Sequence, residues 1–224
     1  LVDDISVCAG SSSAIFAAAA AKLGLRVLFS GRVGDDLFGG FMLQALADAG
    51  IETDHIMRDP DLRTGACVVL SRGASGDRAM LTYLGSIAAV DERDVSPDHF
   101  YLARHLHVAS PYLLRGLRPY MPEMMRLARS AGMTVSLDTN WDPAQQWVTD
   151  DLLQDLDVFL PNEQELCAIA GIADVEQALQ AMAARVPLVV VKRGGRGATA
   201  LRGDERVDVP AGDVEVVDTT GAGD

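Results

Sequence analysis

Cysteine is scarce in this sequence of 224 residues. The chain contains three, Cys8, Cys67 and Cys167, at wide spacing and without a Cys-x-x-Cys pair. An odd number of isolated cysteines does not indicate a disulfide framework, and reduced thiols in the core explain the pattern best. Because reduced thiols are typical of a reducing compartment, the sequence predicts a cytoplasmic protein.

Positive charge is also in short supply. The chain has 19 lysines and arginines against 32 aspartates and glutamates, which gives a net charge of -13. Nucleic acids and anionic membranes repel such a surface, so neither is expected as the main partner. An anionic nucleotide is still compatible with this composition, because it needs only a local positive field.

Long apolar runs are absent as well. The longest, from Ile15 to Ala21, is too short to span a bilayer and ends at Lys22. No basic and apolar leader of an exported protein is found. Leu1 is not a natural start residue, so we expect residues to be missing in front of it.

Several common enzyme motifs are missing from the sequence. It contains no GxxxxGK[ST], no GxGxxG and no GxSxG, so a Walker-type NTPase, a dinucleotide enzyme and an α/β-hydrolase have no local support. What is present is 49% hydrophobic and 23% charged residues, a composition typical of a globular protein with a sizeable core.

Alternating strand and helix patterns predict a doubly wound α/β core. In the first part of the chain, the predicted elements are a strand over residues 1–9, a helix from the turn at 10–13 to about 23, a strand over 26–30 and a helix over 37–49. In the later part, they are strands over 105–109, 134–137, 157–160 and 188–191, helices over about 118–131, 145–154, 163–170 and 175–184, and an edge hairpin of 197–201 with 206–210.

Residues 51–86 interrupt this alternation. Strands over 66–70 and 79–83 are predicted to form a hairpin, which would make a small β flap together with the strand at the N-terminus. The predicted organisation is therefore a main α/β domain of residues 11–50 and 87–224, and a flap of residues 1–10 and 51–86.

Three polar or glycine-rich turns follow buried strands, at residues 138–140, 162–165 and 194–197. Ligands gather at the carboxyl ends of strands in open α/β sheets, so these turns point to one crevice. Asn162 and Glu165 have the spacing of a helix-capping box, but the same groups can also orient water around Mg²⁺. Gly194 to Gly197 is either a plain hairpin turn or a place where a nucleotide lies against bare backbone.

The chain closes on Asp218-Thr219-Thr220-Gly221-Ala222-Gly223-Asp224. The small residues allow three successive backbone N–H groups to approach an anion, and the carboxylate of Asp224 follows at once. A base beside such donors suits phosphoryl transfer onto a hydroxyl group.

Two other residue pairs have simpler interpretations. His105 and His107 share one face of a strand, but without a third ligand they are interpreted as core or edge residues rather than as a metal site. Trp141 and Trp147 are interpreted as packing residues rather than as stacking platforms for a ligand.

Four motifs together resemble those of the PfkB carbohydrate-kinase family, also called the ribokinase-like family, over nearly the whole chain. They are Gly31-x-x-Gly34-x-Asp36-x-Phe38-Gly39, Asn162-x-x-Glu165, the loop from Lys192 to Gly197, and the closing Asp218–Asp224. The resemblance implies a ribokinase-like three-layer αβα sandwich with a small β-sheet lid, the lid being the predicted flap.

The resemblance also implies the catalytic roles at the end of the chain. Asp224 would accept a proton from the substrate hydroxyl, and the N–H groups of Gly221, Ala222 and Gly223 would form an anion hole for the transferred phosphoryl group. Asp218 and Thr220 match positions that hold an activating monovalent cation, such as K⁺, in many members.

For ATP and Mg²⁺, the resemblance assigns Asn162 and Glu165, with Glu165 acting on the metal indirectly. The predicted nucleotide-binding residues are completed by Lys192, Gly194, Gly195 and Gly197. The acceptor sugar would lie between the lid, the turn that holds Gly10, Ser11 and Ile15, and the strand end at Ser110. A homodimer through the lid is expected by the resemblance alone.

The sequence departs from the family in two places that bear on the acceptor. The family's Gly-Gly-x-x-x-Asn turn ends here in Ile15, and its Gly-Ala-Asn stretch ends in Ile87. Hydrogen-bond partners discriminate strongly between substrates, so we infer that the acceptor is not ribose or is held by other groups. A nucleoside kinase and a non-catalytic ligand-binding regulator are the alternatives.

The family's next helix and part of its adenine pocket are missing after Asp224. We therefore expect the chain as given to be incomplete, and inactive if it truly ended there.

Overall fold

The computed structural model describes residues 5–71, 78–213, 221 and 223. The chain divides into two compact units, residues 1–95 and residues 96–224. Within the described residues, eight α-helices and ten strands form. This content confirms the predicted α/β class.

The first unit begins with a helix and ends with a short helix and a 3₁₀ turn. Its elements are α1 (Ser12–Lys22), β1 (Gly31–Gly34), α2 (Leu37–Asp48), β2 (Ile56–Asp59), β3 (Ala66–Ser71), β4 (Arg78–Tyr83), α3 (Ser86–Ala89) and the 3₁₀ turn Glu92–Asp94. Ala14, Ala17 and Leu46 bring α1 and α2 into a small core with Ile51 and Ile56. The predicted helices over 10–23 and 37–49 are confirmed.

The predicted strand over 26–30 is wrong, because the chain pairs four residues later. Leu28 makes only an isolated bridge, to Glu52, whereas β1 runs parallel to β2. The shift follows the packing: Val27 and Phe29 are only partly buried, but Val33 is buried. Arg32 adds a second anchor, since its guanidinium is 6% exposed and pairs with Asp94 at 3.0 Å.

The predicted strand over residues 1–9 is also not found in its described part. Residues 5–9 have no strand, and Ile5 and Val7 are 86% and 67% exposed. An alternating pattern forms a strand where it can bury one face, and the described apolar residues of this segment bury little surface. Residues 1–4 lie outside the described residues.

The predicted hairpin within the flap is confirmed. β3 and β4 pair antiparallel from Ala66 opposite Tyr83 to Ser71 opposite Arg78, and they form a separate two-stranded sheet. Ile56–Asp59, which the sequence grouped with the flap, pairs with β1 instead. The division of the chain into a main domain and a lid stays a prediction.

The second unit is built on one mixed sheet. Its elements are α4 (His99–Leu102), β5 (His105–Ala109), α5 (Met121–Ser130), β6 (Thr134–Asp138), α6 (Asp150–Leu153), β7 (Val158–Phe159), α7 (Glu163–Ala170), α8 (Val175–Ala183), β8 (Leu188–Lys192), the 3₁₀ turn Gly194–Arg196, β9 (Ala198–Arg202) and β10 (Glu205–Val209). The strand order is β10-β9-β8-β7-β6-β5. Strands β5 to β8 run parallel to one another, and β9 runs antiparallel to both of its neighbours, β8 and β10.

The core of this sheet follows from the sequence pattern. Met121, Met125 and Ala128 lie on one face of α5 and are fully buried, as are Val135 and Leu137 of β6. Because β5 to β8 run in the same direction, their carboxyl ends share one edge of the sheet. That edge is where the polar turns of the sequence fall.

Helices α7 and α8 form a capped pair. Asn162 caps α7, Gly171 ends it in the left-handed conformation with φ 67°, and Asp174 caps α8. Within the described ranges, no single helix is long and apolar enough to cross a membrane; α7 and α8 meet that test only as a pair, bent by 66°, and by length and composition alone.

The predicted helix over 145–154 is shorter than expected, because a turn replaces its first half. The Asp142 carboxylate, which is buried, accepts hydrogen bonds from the backbone N–H groups of Ala144, Gln146 and Trp147 at 2.8–2.9 Å. Gln145 and Trp147 both have φ 53°. The helix therefore starts only at Asp150, since a side chain that satisfies three amides of the turn competes with helix formation.

The cysteines are free, but the expected core location is wrong for two of them. Cys8 and Cys67 are exposed, and Cys167 is half-buried.

Candidate active site

The predicted polar turns meet at the carboxyl ends of the parallel strands in the second unit. Asp138 ends β6, and Lys192 ends β8. Asn162, which follows β7, forms a parallel bridge with Lys192. The structure thus brings these three sequence-predicted turns to one edge.

Lys192 connects this edge to the end of the chain. Its Nζ donates to Asp138 Oδ2 at 2.5 Å and to the carbonyl oxygen of Gly223 at 2.8 Å. The Asp138 side chain is 7% exposed and that of Lys192 25%, so the ion pair is largely shielded from water. A shielded charge pair of this kind fixes the position of its members more firmly than a surface pair does.

Asn162 and Glu165 form a complete capping box at the start of α7. Asn162 Oδ1 accepts from the Glu165 backbone N–H at 2.9 Å, and the Glu165 carboxylate accepts from the Asn162 N–H at 2.9 Å and from its Nδ2 at 2.6 Å. The capping interpretation is therefore confirmed.

The glycine turn divides into two parts. Among the described residues, no atom lies within 4 Å of where a Cβ on Gly194 or Gly195 would be, so the backbone is open there. Gly197 has φ 85°, and a Cβ at this position would overlap the carbonyl oxygen of Val209. The hairpin-turn interpretation accounts for Gly197, whereas nothing in the packing requires glycine at 194 or 195 beyond the φ of 56° at Gly194.

The charged side chains around this turn are paired. Arg193 Nε donates to Glu163 Oε1 at 2.9 Å, and Arg196 donates to Glu163 Oε2. Arg193 also lies 3.6 Å from Glu176. These ion pairs fix the two arginines beside the open glycines, with their charges balanced by the glutamates.

The closing motif is described only in part. Gly221 has φ 75°, a conformation that favours glycine, and Gly223 makes the contact with Lys192. Asp218, Thr220, Ala222 and Asp224 lie outside the described residues.

At the ends of β5 and β6, two residues adopt left-handed backbone conformations. Ser110 has φ 52° and Asn140 has φ 51°. The Ser110 N–H and Oγ both donate to Asn140 Oδ1, at 3.1 and 3.0 Å. Such strained residues cluster at functional sites. Sequence reasoning identified Ser110 but gave no role to Asp138 or Asn140; their signal is the polar turn directly after a buried strand.

The other predicted acceptor residues belong to the first unit. Gly10 and Ser11 are exposed, and Ser11, with φ 70°, precedes α1. Ile15 is half-buried and lines an apolar depression of about 250 Å³ with Ala9, Ala18, Lys22 and other side chains. The methyl end of Ile87 packs at Gly65.

The two histidines hydrogen-bond to β6. His105 reaches Thr134 Oγ1 and Ser136 Oγ at 2.7 Å each, and His107 Nδ1 reaches Ser136 Oγ at 2.8 Å. Burial, followed by the charges of His105 and Lys192, lowers the pKa of His107 to about 4. Among the described residues, no group of three or more metal-ligating side chains comes together.

The aromatic residues near Asp142 pack against one another. Trp147 contacts Trp141 edge-to-face with ring centroids 5.4 Å apart, and Tyr112 edge-to-face at 6.0 Å. Trp141 is 52% exposed. The packing interpretation holds for the ring contacts seen.

Comparison with known proteins gives the same family that the motifs indicate. Residues 12–224 match the pfkB family carbohydrate kinases, so the chain belongs to that family. It is 32% identical over 227 residues to a fructokinase of Vibrio alginolyticus, a match that covers 97% of this chain and 73% of the relative.

Solved structures agree with this assignment. A fructokinase from Vibrio cholerae O395, with fructose, ADP and calcium bound, superposes with a TM-score of 0.81 at 30% identity over 95% of this chain and 72% of that one. A putative ribokinase II from E. coli in complex with ATP and Mg²⁺ has a TM-score of 0.85 at 23% identity, covering 99% and 75%. The fold is therefore ribokinase-like, and the enzyme class is carbohydrate kinase.

Proposed function

We propose that this protein transfers a phosphoryl group from ATP to a hydroxyl, in particular a hydroxymethyl, group of a sugar or sugar-like small molecule. The observation that carries the proposal is the contact of Lys192 with the Gly223 carbonyl, at the same sheet edge as Asn162 and Glu165. Through this contact, Gly223 of the closing motif lies at the strand ends, where α/β proteins bind ligands.

Asp224 is the proposed general base. It follows Gly223 in the sequence and would take the proton of the acceptor hydroxyl as the oxygen attacks phosphorus. The N–H groups of Gly221, Ala222 and Gly223 would stabilise the charge on the transferred phosphoryl group. Loss of one preorganised donor of this kind typically costs on the order of 10²–10³ in kcat.

The proposed nucleotide site uses the neighbouring turns. The open backbone at Gly194 and Gly195 gives room for the nucleotide, and Gly197 holds the hairpin that carries them. Lys192 would help to position the phosphates through its hold on Gly223. The ATP and ADP bound in the two solved structures support ATP as the donor.

A divalent cation fits Glu165 only indirectly. Its buried carboxylate is engaged with Asn162, so we expect it to act on the metal through a bridging water rather than as a direct ligand. Mg²⁺ would neutralise charge on the ATP phosphates. A monovalent cation such as K⁺ at Asp218 and Thr220 stays a proposal from the resemblance.

For the acceptor, the proposal retains Gly10, Ser11, Ile15 and Ser110. A nucleoside kinase is the second candidate, because Ile15 lines an apolar depression rather than presenting an amide to a hydroxyl. An apolar side chain suits the face of a base better than it suits a sugar hydroxyl. A cytoplasmic location is proposed from the cysteine content.

An ADP-release screen of the full-length protein over sugars and nucleosides tests these candidates. We expect turnover with a hydroxymethyl sugar and an Asp224→Asn variant reduced about 10²–10⁴-fold, the range of general-base catalysis. Unchanged turnover in that variant would contradict the assignment of Asp224 as the general base. Ligand binding without any phosphorylated product would favour the non-catalytic regulator.

A further inference from the structure

The carboxylate of Asp36, at the start of α2, has more partners than a helix cap needs. Its Oδ1 accepts from the Gly39 N–H at 2.8 Å, which is the capping bond. The same oxygen accepts from the Thr64 hydroxyl at 2.7 Å, and Oδ2 accepts from the Thr64 N–H at 2.9 Å. The carboxylate thus joins two stretches of chain 28 residues apart.

Thr64 completes this connection towards β1. Its hydroxyl, which donates to Asp36, accepts from the Gly34 N–H at 2.9 Å. Thr64 is 5% exposed, so water does not readily replace these bonds. The end of β1, the start of α2 and Thr64 are therefore held by one buried hydroxyl and one carboxylate.

Thr64 lies two residues before the hairpin β3–β4, where the chain enters it. The returning chain is bound to the same point, since the Ser86 N–H donates to the Arg63 carbonyl at 2.8 Å. Gly85 has φ 48°, and a Cβ on it would overlap that carbonyl. Residues 63–65 and 85–86 form the two adjacent connections of the hairpin, which we call the hinge.

The approach of α2 to the hinge is close. A Cβ on Gly39 would overlap the Gly34 carbonyl oxygen, and one on Gly34 would lie 2.5 Å from the Leu62 carbonyl oxygen. Larger residues would push the two segments apart and lengthen the bonds to Asp36. Gly34 and Gly39 of the Gly31–Gly39 motif are thus explained by the close approach that the bonds to Asp36 require.

A capping role alone does not explain this arrangement. Asp174 caps α8 with a single described bond, from the Gln177 N–H at 2.9 Å. A cap satisfies N–H groups of its own helix and needs no distant partner. The bonds from Asp36 to Thr64 therefore have a second purpose.

We propose that Asp36 is a positioning residue that fixes the hinge of the β3–β4 hairpin and thereby sets the affinity for the acceptor. The acceptor part rests on the proposed function, in which the hairpin is the lid. Asp36 does not touch the reacting atoms; it acts through Thr64 and the residues that follow.

Asp36→Asn separates the two roles. The amide oxygen still accepts from the Gly39 N–H, because asparagine caps helices as well as aspartate does. The amide NH₂ cannot accept from the Thr64 N–H, so the hinge bond is lost. Thr64→Val keeps the backbone N–H bond but removes the hydroxyl bonds to Asp36 and from Gly34, whereas Thr64→Ser retains all of them. Asp174→Asn is the matched control at an ordinary cap.

Hydrogen exchange of the full-length protein measures how well the hydrogen bonds of the hinge are protected, and it does not depend on enzyme activity. We expect Asp36→Asn to speed exchange at the Thr64 amide and in Ala66–Ser71 by about tenfold or more, with Gly39 protected as before. Thr64→Ser should exchange like the wild type, and Thr64→Val should speed exchange at the Gly34 amide, which loses its acceptor. Unchanged exchange at Thr64, or equal loss of protection at Gly39, would overturn the hinge.

Steady-state kinetics test the coupling to the acceptor. We expect Asp36→Asn and Thr64→Val to raise the KM for the best acceptor about tenfold, with the KM for ATP unchanged. Thr64→Ser and Asp174→Asn should behave as the wild type. Equal changes in both KM values would overturn the coupling. If the wild type turned over no acceptor, both the proposed function and its coupling to the hinge would be contradicted. The hydrogen-exchange result would still test whether Asp36 fixes the hinge.

Discussion

At the scale of single residues, His107 is held in its neutral form by its surroundings. Burial is the main cause, and the nearby His105 and Lys192 add to it, so the pKa of His107 falls to about 4 from 6.5. Its Nδ1 lies 2.8 Å from the Ser136 hydroxyl. The folded protein therefore resists a proton that the unfolded chain accepts.

This difference predicts how stability depends on pH. The unfolded chain protonates His107 near pH 6.5 and the folded protein only near pH 4, so the contribution is complete above 6.5 and is lost as the pH falls between these values. We expect the free energy of unfolding to fall by up to about 1.4 kcal/mol per pH unit in that window. Urea denaturation at several pH values measures the slope.

His107→Gln is the control for this prediction, because glutamine does not titrate. The variant should lose most of the slope and keep the part that belongs to His105, whose pKa is also lowered by burial. Equal slopes in the variant and the wild type would contradict the assignment to His107.

The ion pair of Lys192 and Asp138 marks the limit of sequence reasoning at this scale. Both residues follow from the sequence as members of polar turns after strands, because strand ends can be recognised from apolar runs. Their contact joins residues 54 positions apart, and it depends on the order β8-β7-β6 in the sheet. Local pattern does not determine that order, so the partner of Lys192 could not be predicted.

At the scale of secondary structure, packing overrides local preference in two segments. The apolar run over 26–30 predicts a strand, but the buried ion pair of Arg32 and Asp94 and the burial of Val33 place β1 at Gly31–Gly34. The elements with strong periodicity, such as α5 and β6, were predicted correctly, because one face of each is buried along its whole length.

The turn at Asp142 is the second such segment, and it gives a prediction. Asp142→Ala removes the acceptor of three backbone N–H groups in a buried setting. We expect the free energy of unfolding to fall by about 3 kcal/mol, since hydrogen bonds to a charged group each contribute about 1.5–3 kcal/mol and do not add fully. Urea denaturation followed by tryptophan fluorescence measures the loss.

Asp142→Asn is the matched variant, because its amide keeps one acceptor oxygen. It should lose about half as much stability as the alanine variant. A loss below about 0.5 kcal/mol in Asp142→Ala, the size of an ordinary surface substitution, would show that the turn forms without the carboxylate.

At the scale of the whole molecule, one face of the β3–β4 hairpin is apolar and exposed. Val68, Leu70, Leu81 and Tyr83 lie on this face and are 51–63% exposed. Val68 is directly opposite Leu81 in the register, so the two form the middle of the face. Exposed apolar patches of this kind mark interaction sites in many proteins.

We expect this face to join two copies of the protein, as the resemblance to the family predicts. Leu81→Glu should convert a dimer to a monomer, because it places a buried charge at the centre of the contact. Sedimentation velocity over a range of concentrations measures the change. Thr82→Glu is the control, since Thr82 lies on the opposite face; a monomeric wild type would contradict the prediction.

The hydrogen bond between the Ser86 N–H and the Arg63 carbonyl has a consequence for how the chain tolerates rearrangement. It brings together residues 63 and 86, which flank the hairpin, so the chain enters and leaves the hairpin at neighbouring positions. Segments whose ends meet are the ones that natural and engineered proteins exchange most easily. A hairpin from a relative with another acceptor can therefore be transplanted between residues 63 and 86 while β1 and α2 keep their own sequence.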